Sequence, residues 1–195
     1  MKVRSKIFGA LAVAALATAL SLVGGGAAAQ ATPASVHPAA GTVRPLNLGA
    51  AFTIENRGSH KCLDGEQSIK PSPVVQWGCS STAPTQNWLM EPIQSQPGWS
   101  TLRNVQSNLC LDLRAADNNP VVNGTAIQQY FCFADSISTE RWVATPAFNV
   151  PGYLTFTNQV LNKCLDLNNG SSANGAKVQV WDCDSGNNNQ LWRQG

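Results

Sequence analysis

Three carboxylates recur in one local setting. Asp64, Asp112 and Asp166 each close a Cys-Leu-Asp triplet, and an aromatic follows downstream, two residues before a second cysteine: Trp77/Cys79, Tyr130/Cys132 and Trp181/Cys183. A carboxylate can serve as acid, base, metal ligand or plain acceptor, and its neighbours decide which. Glycoside hydrolysis needs two facing carboxylates, whereas these are spread one per triplet along the chain. A Ser–His–Asp or Cys–His device needs a placed imidazole. Of the two histidines, His37 lies in a leader region and His60 has no nucleophile motif beside it. Asp182-x-Asp184, with Gly186 and Asn187 after it, lacks the spacing and terminal Glu of a calcium loop. No catalytic group, metal or cofactor is therefore expected. Recognition by acceptors and flat aromatic faces remains.

The elements that must position these residues repeat three times. Thr53-Ile54-Glu55-Asn56, Thr101-Leu102-Arg103-Asn104 and Thr155-Phe156-Thr157-Asn158 each place an Asn six residues before the triplet cysteine. Each repeat closes on Gln86-Asn87-Trp88, Glu140-Arg141-Trp142 or Gln190-Leu191-Trp192. Self-similarity at this period is the signature of a repeat architecture. Within it, Leu154-Thr155-Phe156-Thr157 and Val178-Gln179-Val180-Trp181 alternate as strands do, and long helical periodicity is absent after the leader. Asn123-Gly124 and Asn174-Gly175 stand upstream of such runs, where a tight turn wants positive φ. Short strands with frequent turn signals predict an all-β fold. Trp88, Trp142 and Trp192 recur whatever surrounds them and read as core; Trp99 and Tyr153, each after Pro-Gly, read as packed or exposed.

An even count of six cysteines in a secreted chain reads as disulfides. Threefold similarity favours Cys62–Cys79, Cys110–Cys132 and Cys164–Cys183, each closing roughly twenty residues and contributing about 3 kcal/mol in the chain-entropy view. Pairing across repeats stays open at this point, at the cost of the symmetry.

The N-terminus reads as an address. Lys2, Arg4 and Lys6 precede an apolar run from Ile7 to Val23, and small residues lead to Ala29-Gln30-Ala31. That is the pattern of a secretory signal over residues 1–31, with no membrane insertion after cleavage and an extracellular destination. Cleavage after Ala31 removes three cations and no acid, so the formal charge passes from +2 to −1. Nothing then points to nucleic acid, whose binders cluster Lys and Arg. Residues 32–50 read as a flexible leader or linker rich in Pro, Ala, Val and Gly. The domain follows over 51–195, with repeats at about 51–95, 96–148 and 149–195. Asn123-Gly124-Thr125 and Asn169-Gly170-Ser171 match the N-glycosylation pattern, which matters only in a eukaryotic host.

The Cys-Leu-Asp triplet, the Gln-x-Trp-x-Cys run and the closing Gln-x-Trp resemble the ricin-type lectin family, also seen as family-13-like carbohydrate-binding modules of bacterial glycoside hydrolases. The resemblance spans about residues 50–195. It implies a β-trefoil of three homologous four-strand repeats with one disulfide in each and one shallow sugar pocket per repeat. Sugar recognition wants a stacking face for the C–H groups and fixed polar atoms for the hydroxyls.

On that resemblance the third repeat carries the full set. Asp166 is its carboxylate, Gln179 and Asn189 its amides and Trp181 its platform, with Gln190 orienting Asp166. The second keeps Asp112, Gln128 and Tyr130, but Thr139 and Glu140 replace the amides, and a second carboxylate near Asp112 adds repulsion. The first keeps Asp64 and Trp77, yet has Val75 and Thr85 at the amide positions and Lys70-Pro71 for the Asn-Gly turn. It is expected to be structural. The expected function is glycan binding. The alternatives are a protein-binding or protease-inhibitor-like trefoil, and a non-catalytic accessory that recruits a separate polysaccharide-degrading enzyme.

Overall fold

A computed structural model describes residues 48–66, 72–114 and 120–195. The leader 1–31, most of 32–50 and Lys70-Pro71 lie outside the described residues. Thirteen strands in the described residues form one continuous antiparallel network. The first third contributes β1 (Ile54–Asn56), β2 (Lys61–Asp64), β3 (Ser72–Pro73), β4 (Val75–Gly78) and β5 (Trp88–Pro92). The second contributes β6 (Ser100–Asn104), β7 (Cys110–Leu113), β8 (Ile127–Tyr130) and β9 (Trp142–Pro146). The third contributes β10 (Leu154–Asn158), β11 (Cys164–Leu167), β12 (Ala176–Trp181) and β13 (Trp192–Gln194).

The fold is the β-trefoil expected from the repeats, with one addition. The first third holds a fifth, two-residue strand, because Ser72 and Pro73 pair with Gln129 and Gln128 of β8. A proline is tolerated there, at the end of so short an edge segment.

The first and last strands of each repeat build the barrel wall. β5 pairs with β6, β6 with β9, β9 with β10, β10 with β13 and β13 with β1. A bridge between Phe52 and Trp88 closes the circle. The middle strands form three hairpins, β2–β4, β7–β8 and β11–β12, that cap one end. The hairpins also touch one another: Ala176 and Lys177 pair with Gln76 and Val75, and Ala126 bridges to Gln179.

The core lies inside this wall and cap, and the closing tryptophans anchor it. Trp88, Trp142 and Trp192 are fully buried among Ile54, Leu63, Leu102, Leu111, Phe156 and Leu165. A buried indole N–H must find an acceptor. Each donates to the carbonyl of the triplet leucine of its own repeat: Leu63 at 3.1 Å, Leu111 at 2.9 Å and Leu165 at 3.0 Å. Trp99 and Tyr153 are half-buried, and Tyr153 lies beneath the guanidinium groups of Arg57 and Arg193.

The recurring asparagines stitch the repeats together. Asn56, Asn104 and Asn158 are buried, and their side-chain amides donate to the carbonyls of Asn189, Thr85 and Thr139 at 2.9, 2.7 and 2.8 Å. Each acceptor sits in the short 3-10 turn that ends the preceding repeat; for Asn56 that turn is the last one, so the ring closes. The chain between strands then passes through a left-handed residue two places before the triplet, His60 (φ 56°), Asn108 (φ 60°) or Asn162 (φ 51°). Asn and His enter this region more readily than most residues. His60 thus occupies a turn position, beside Glu55 at the surface.

Three disulfides join Cys62 to Cys79, Cys110 to Cys132 and Cys164 to Cys183, one in each repeat. The triplet cysteine of each stands directly across the ladder from the aromatic.

Candidate functional site

Strand register assembles the site. In the third repeat Cys164 faces Trp181 and Asp166 faces Gln179 across the β11–β12 ladder. Residues two apart on a strand share a face, and directly opposed residues share it too. Asp166, Gln179 and Trp181 therefore stand on one face of one hairpin. The same rungs put Asp112 opposite Gln128 beside Tyr130, and Asp64 opposite Val75 beside Trp77. The carboxylates are buried, at 4–7 % exposure, while the three aromatics are 36–44 % exposed at the rim.

Asp166 is held at both oxygens. Gln179 donates to Oδ1 at 2.9 Å and Gln190 to Oδ2 at 3.1 Å. Gln190 is itself fully buried and fixed, accepting from the Asp184 amide at 2.8 Å and donating to the Asp182 carbonyl at 2.9 Å. Asn168 donates to the Gln179 oxygen at 3.0 Å, which sets the orientation of that amide. Burial raises the pKa of Asp166 and the two amides oppose the shift. A carboxylate offers about four acceptor sites, so two amides leave room for two more donors. Asn189 does not bond to Asp166; its side chain lies over Gly58 and Gly170, and a Cβ at Gly170 would come within 3.0 Å of it. Gly170, at φ 61°, leaves that space open.

The second pocket is held by other groups, the Gln128 amide and the Thr139 hydroxyl. Gln128 donates to Asp112 Oδ2 at 2.6 Å. Burial raises Asp112, with the Gln128 amide first among the groups that counter it. Glu140, where Gln190 stands in the third repeat, accepts from the Phe133 amide at 2.6 Å.

In the first pocket Val75 offers no amide. Asp64 Oδ2 accepts from Gln86 at 2.9 Å, and Oδ1 accepts from the backbone amide of Glu66 at 2.7 Å. The pocket carboxylate is here consumed by its own turn.

Spacing along the chain did not reveal that the third and first pockets each borrow a wall from another repeat. The Asn123-Gly124 turn of the second repeat lies against Trp181, whose ring comes within 3.8 Å of a Cβ built on Gly124. Asn123 bonds Asp182 twice, donating to its side chain at 2.8 Å and accepting from its amide at 2.9 Å. Lys163 donates to both, at 2.7 Å to Asn123 and 2.5 Å to Asp182, and lowers the pKa of Asp182. Likewise Asn174 accepts from the Gly78 amide at 3.1 Å, and Gly175 packs beside Trp77. The one sequence signal for this was the loss of the Asn-Gly pair in the first repeat.

Among the described residues, no group of three His, Cys, Asp or Glu could hold a metal ion, and no helix is long and apolar enough to cross a membrane.

Residues 50–192 match the family described as the ricin-type beta-trefoil lectin domain. The chain belongs to that family. A designed threefold-symmetric protein, ThreeFoil, superposes with a TM-score of 0.65 at 25% identity, covering 74% of this chain and 96% of the other. The ricin B-like lectin of Macrolepiota procera, solved with lactose, gives 0.63 at 17% identity, covering 76% and 96%. An exo-beta-1,3-galactanase from Clostridium thermocellum gives 0.65 at 23%, covering 75% of this chain and only 30% of that enzyme. A comparison with curated protein sequences finds no match. In this ricin-type trefoil the three hairpins repeat the carboxylate and the aromatic, and the repeats differ in how each carboxylate is held.

Proposed function

We propose that the protein is a secreted lectin, cleaved after a signal over 1–31 and linked through 32–50 to the trefoil at 51–195, and that it binds glycans without catalysing any change in them. The third repeat is its principal site. Asp166 accepts from sugar hydroxyls, Trp181 stacks on the apolar sugar face, Gln179 lines the pocket, and Gln190 acts behind Asp166 as a positioning residue. The observation that carries this reading is the pairing of a carboxylate gripped by two amides with an exposed tryptophan on the same hairpin face. The second pocket, with Asp112, Gln128 and Tyr130, is a further site. The first, with Asp64 and Trp77, is a structural copy. Shallow single sites are weak, and retention on a polymer gains from two sites engaging together.

A glycan array that includes lactose and polysaccharides tests this, with Asp166→Ala and Trp181→Ala printed alongside. Asp166→Ala removes a charge-assisted acceptor and Trp181→Ala the stacking face, and each is expected to weaken binding about 10- to 100-fold. Binding unaffected by both would move the principal site out of the third repeat. No binding by the unaltered protein would overturn the lectin reading in favour of a protein partner.

A further inference from the structure

The second repeat departs from its two copies at one buried position. In the first and third repeats a buried glutamine bridges a loop and the pocket. The Gln86 oxygen accepts from the Ser80 amide and its nitrogen donates to Asp64; the Gln190 oxygen accepts from the Asp184 amide and its nitrogen donates to Asp166. Glu140 holds the same place with no exposed surface, and its Oε2 accepts from the Phe133 amide as the glutamine oxygens do. Its other oxygen stands where the copies have an N–H. Among the described residues, Glu140 Oε1 and Asp112 Oδ1 are both buried without a hydrogen-bond partner. A buried acceptor left unmatched is costly, and an ionised one more so. The second pocket is one hydrogen short of its copies.

No cation supplies the deficit. The 3-10 turn Ser138–Glu140 packs against β7, whose titratable side chain is Asp112, and against β10, which carries no ionisable group. The neighbouring Arg141 is turned away, donating to the carbonyls of Ala134 and Asp135 and to Gln159. Asp135, on the loop before the turn, accepts from Ser95 at the surface.

We propose that Glu140 and Asp112 share one proton, and that this proton makes the second pocket an acid-dependent glycan site. Carried by Glu140, the proton is donated to Asp112 Oδ1, as the Gln190 amide is donated to Asp166, and Asp112 stays a carboxylate held from both sides. Without it, two anions face each other, and Asp112 keeps Gln128 and Thr139 but loses the donor on the Glu140 side. Burial, aided by the charge of Asp112, lifts Glu140 to about 7, so the change falls between mildly acidic and mildly alkaline conditions. The part concerning glycans rests on the lectin reading; the shared proton does not. Glu140 is a positioning residue here, acting through Asp112.

Two measurements on the whole protein test it. Carbon-detected NMR titration of the side-chain carboxyls should show Asp112 and Glu140 titrating as a coupled pair, with one proton retained to near neutral pH; Glu140→Gln should remove that step. Separately, Trp77→Ala with Trp181→Ala, both at exposed rim positions, leaves the second pocket as the remaining site. Retention of this double variant on immobilised lactose should be roughly tenfold stronger near pH 5 than near pH 8.5, a change of one decade per unit of coupling. Adding Glu140→Gln, which restores the N–H, should make retention equal at the two pH values. A carboxyl titration with no step near neutrality overturns the shared proton. A titration as expected, with equal lactose retention at both pH values before Glu140 is altered, overturns its control of binding. If the unaltered protein retains no lactose at either pH, control of lactose binding fails with the lectin reading for that sugar, and the titration alone decides the proton.

Discussion

Asp64 and Asp166 occupy the same rung of the same hairpin, behind the same disulfide and beside a tryptophan of nearly equal exposure. Both accept from the glutamine that precedes their closing tryptophan. They differ at the other oxygen. Asp166 meets the side-chain amide of Gln179 across the ladder, whereas Asp64 faces Val75 and takes the backbone amide of Glu66 two residues on. In the third repeat the acid is held by a buried side chain across the ladder. In the first it ties down a turn in which Glu66 is left-handed, at φ 52°. An identical triplet therefore serves presentation in one repeat and loop closure in another, and the residue across the strand decides which.

Three changes probe this contrast. The largest effect belongs to what the repeats share. Trp88→Ala and Trp192→Ala each remove a fully buried indole and its bond to a leucine carbonyl, so each should cost about 3–5 kcal/mol in urea unfolding. A much smaller loss in one would mean that the frame is not common to both repeats. Next comes the second repeat, which replaces the glutamine by an acid. With Glu140 lifted to about 7 from an ordinary value near 4.5, the folded protein holds the proton more tightly than the unfolded chain does. Stability should then fall as pH rises through this window, and stay lower above it. Glu140→Gln should abolish that fall and stabilise the protein by about 2 kcal/mol at alkaline pH, while urea midpoints near pH 4 stay close together. Parallel midpoints at every pH would remove the acid from the account. The smallest effect separates the two carboxylates directly. Asp64→Ala should cost about 1–2 kcal/mol by leaving the Glu66 amide and one Gln86 hydrogen without their acceptor, with glycan retention unchanged. If that variant loses retention as Asp166→Ala does, the first pocket presents sugar as well.

The frame was legible in the sequence because it is written three times. The triplets, second cysteines, early asparagines and closing tryptophans set out the repeat and the buried core and favoured the disulfide partners that the structure shows. The grouping of Asp166, Gln179 and Trp181 came from the resemblance to the ricin-type lectin family, and the strand register puts them on one face. The neighbours supplied by other repeats were not legible. Asn123 and Gly124 read as a hairpin turn of their own repeat, and only the folded ring brings them beside Trp181 and Asp182. The backbone amide of Glu66 carries no side-chain signature at all. The left-handed turn at His60 becomes visible only once it is laid beside Asn108 and Asn162. The two-residue strand Ser72–Pro73 escaped because its partner, β8, belongs to another repeat.

The pairing of β1 with β13 also sets an order of events during synthesis. Ile54, Glu55 and Asn56 reach their partners only when Trp192, Arg193 and Gln194 arrive, and the Thr53 carbonyl accepts from the Gly195 amide. Contacts this distant along the chain are slow to form. While residues 192–195 are still inside the ribosome or a translocation channel, the edges of β1 and β10 that β13 will cover stay bare, so the barrel closes only once residues 192–195 have emerged.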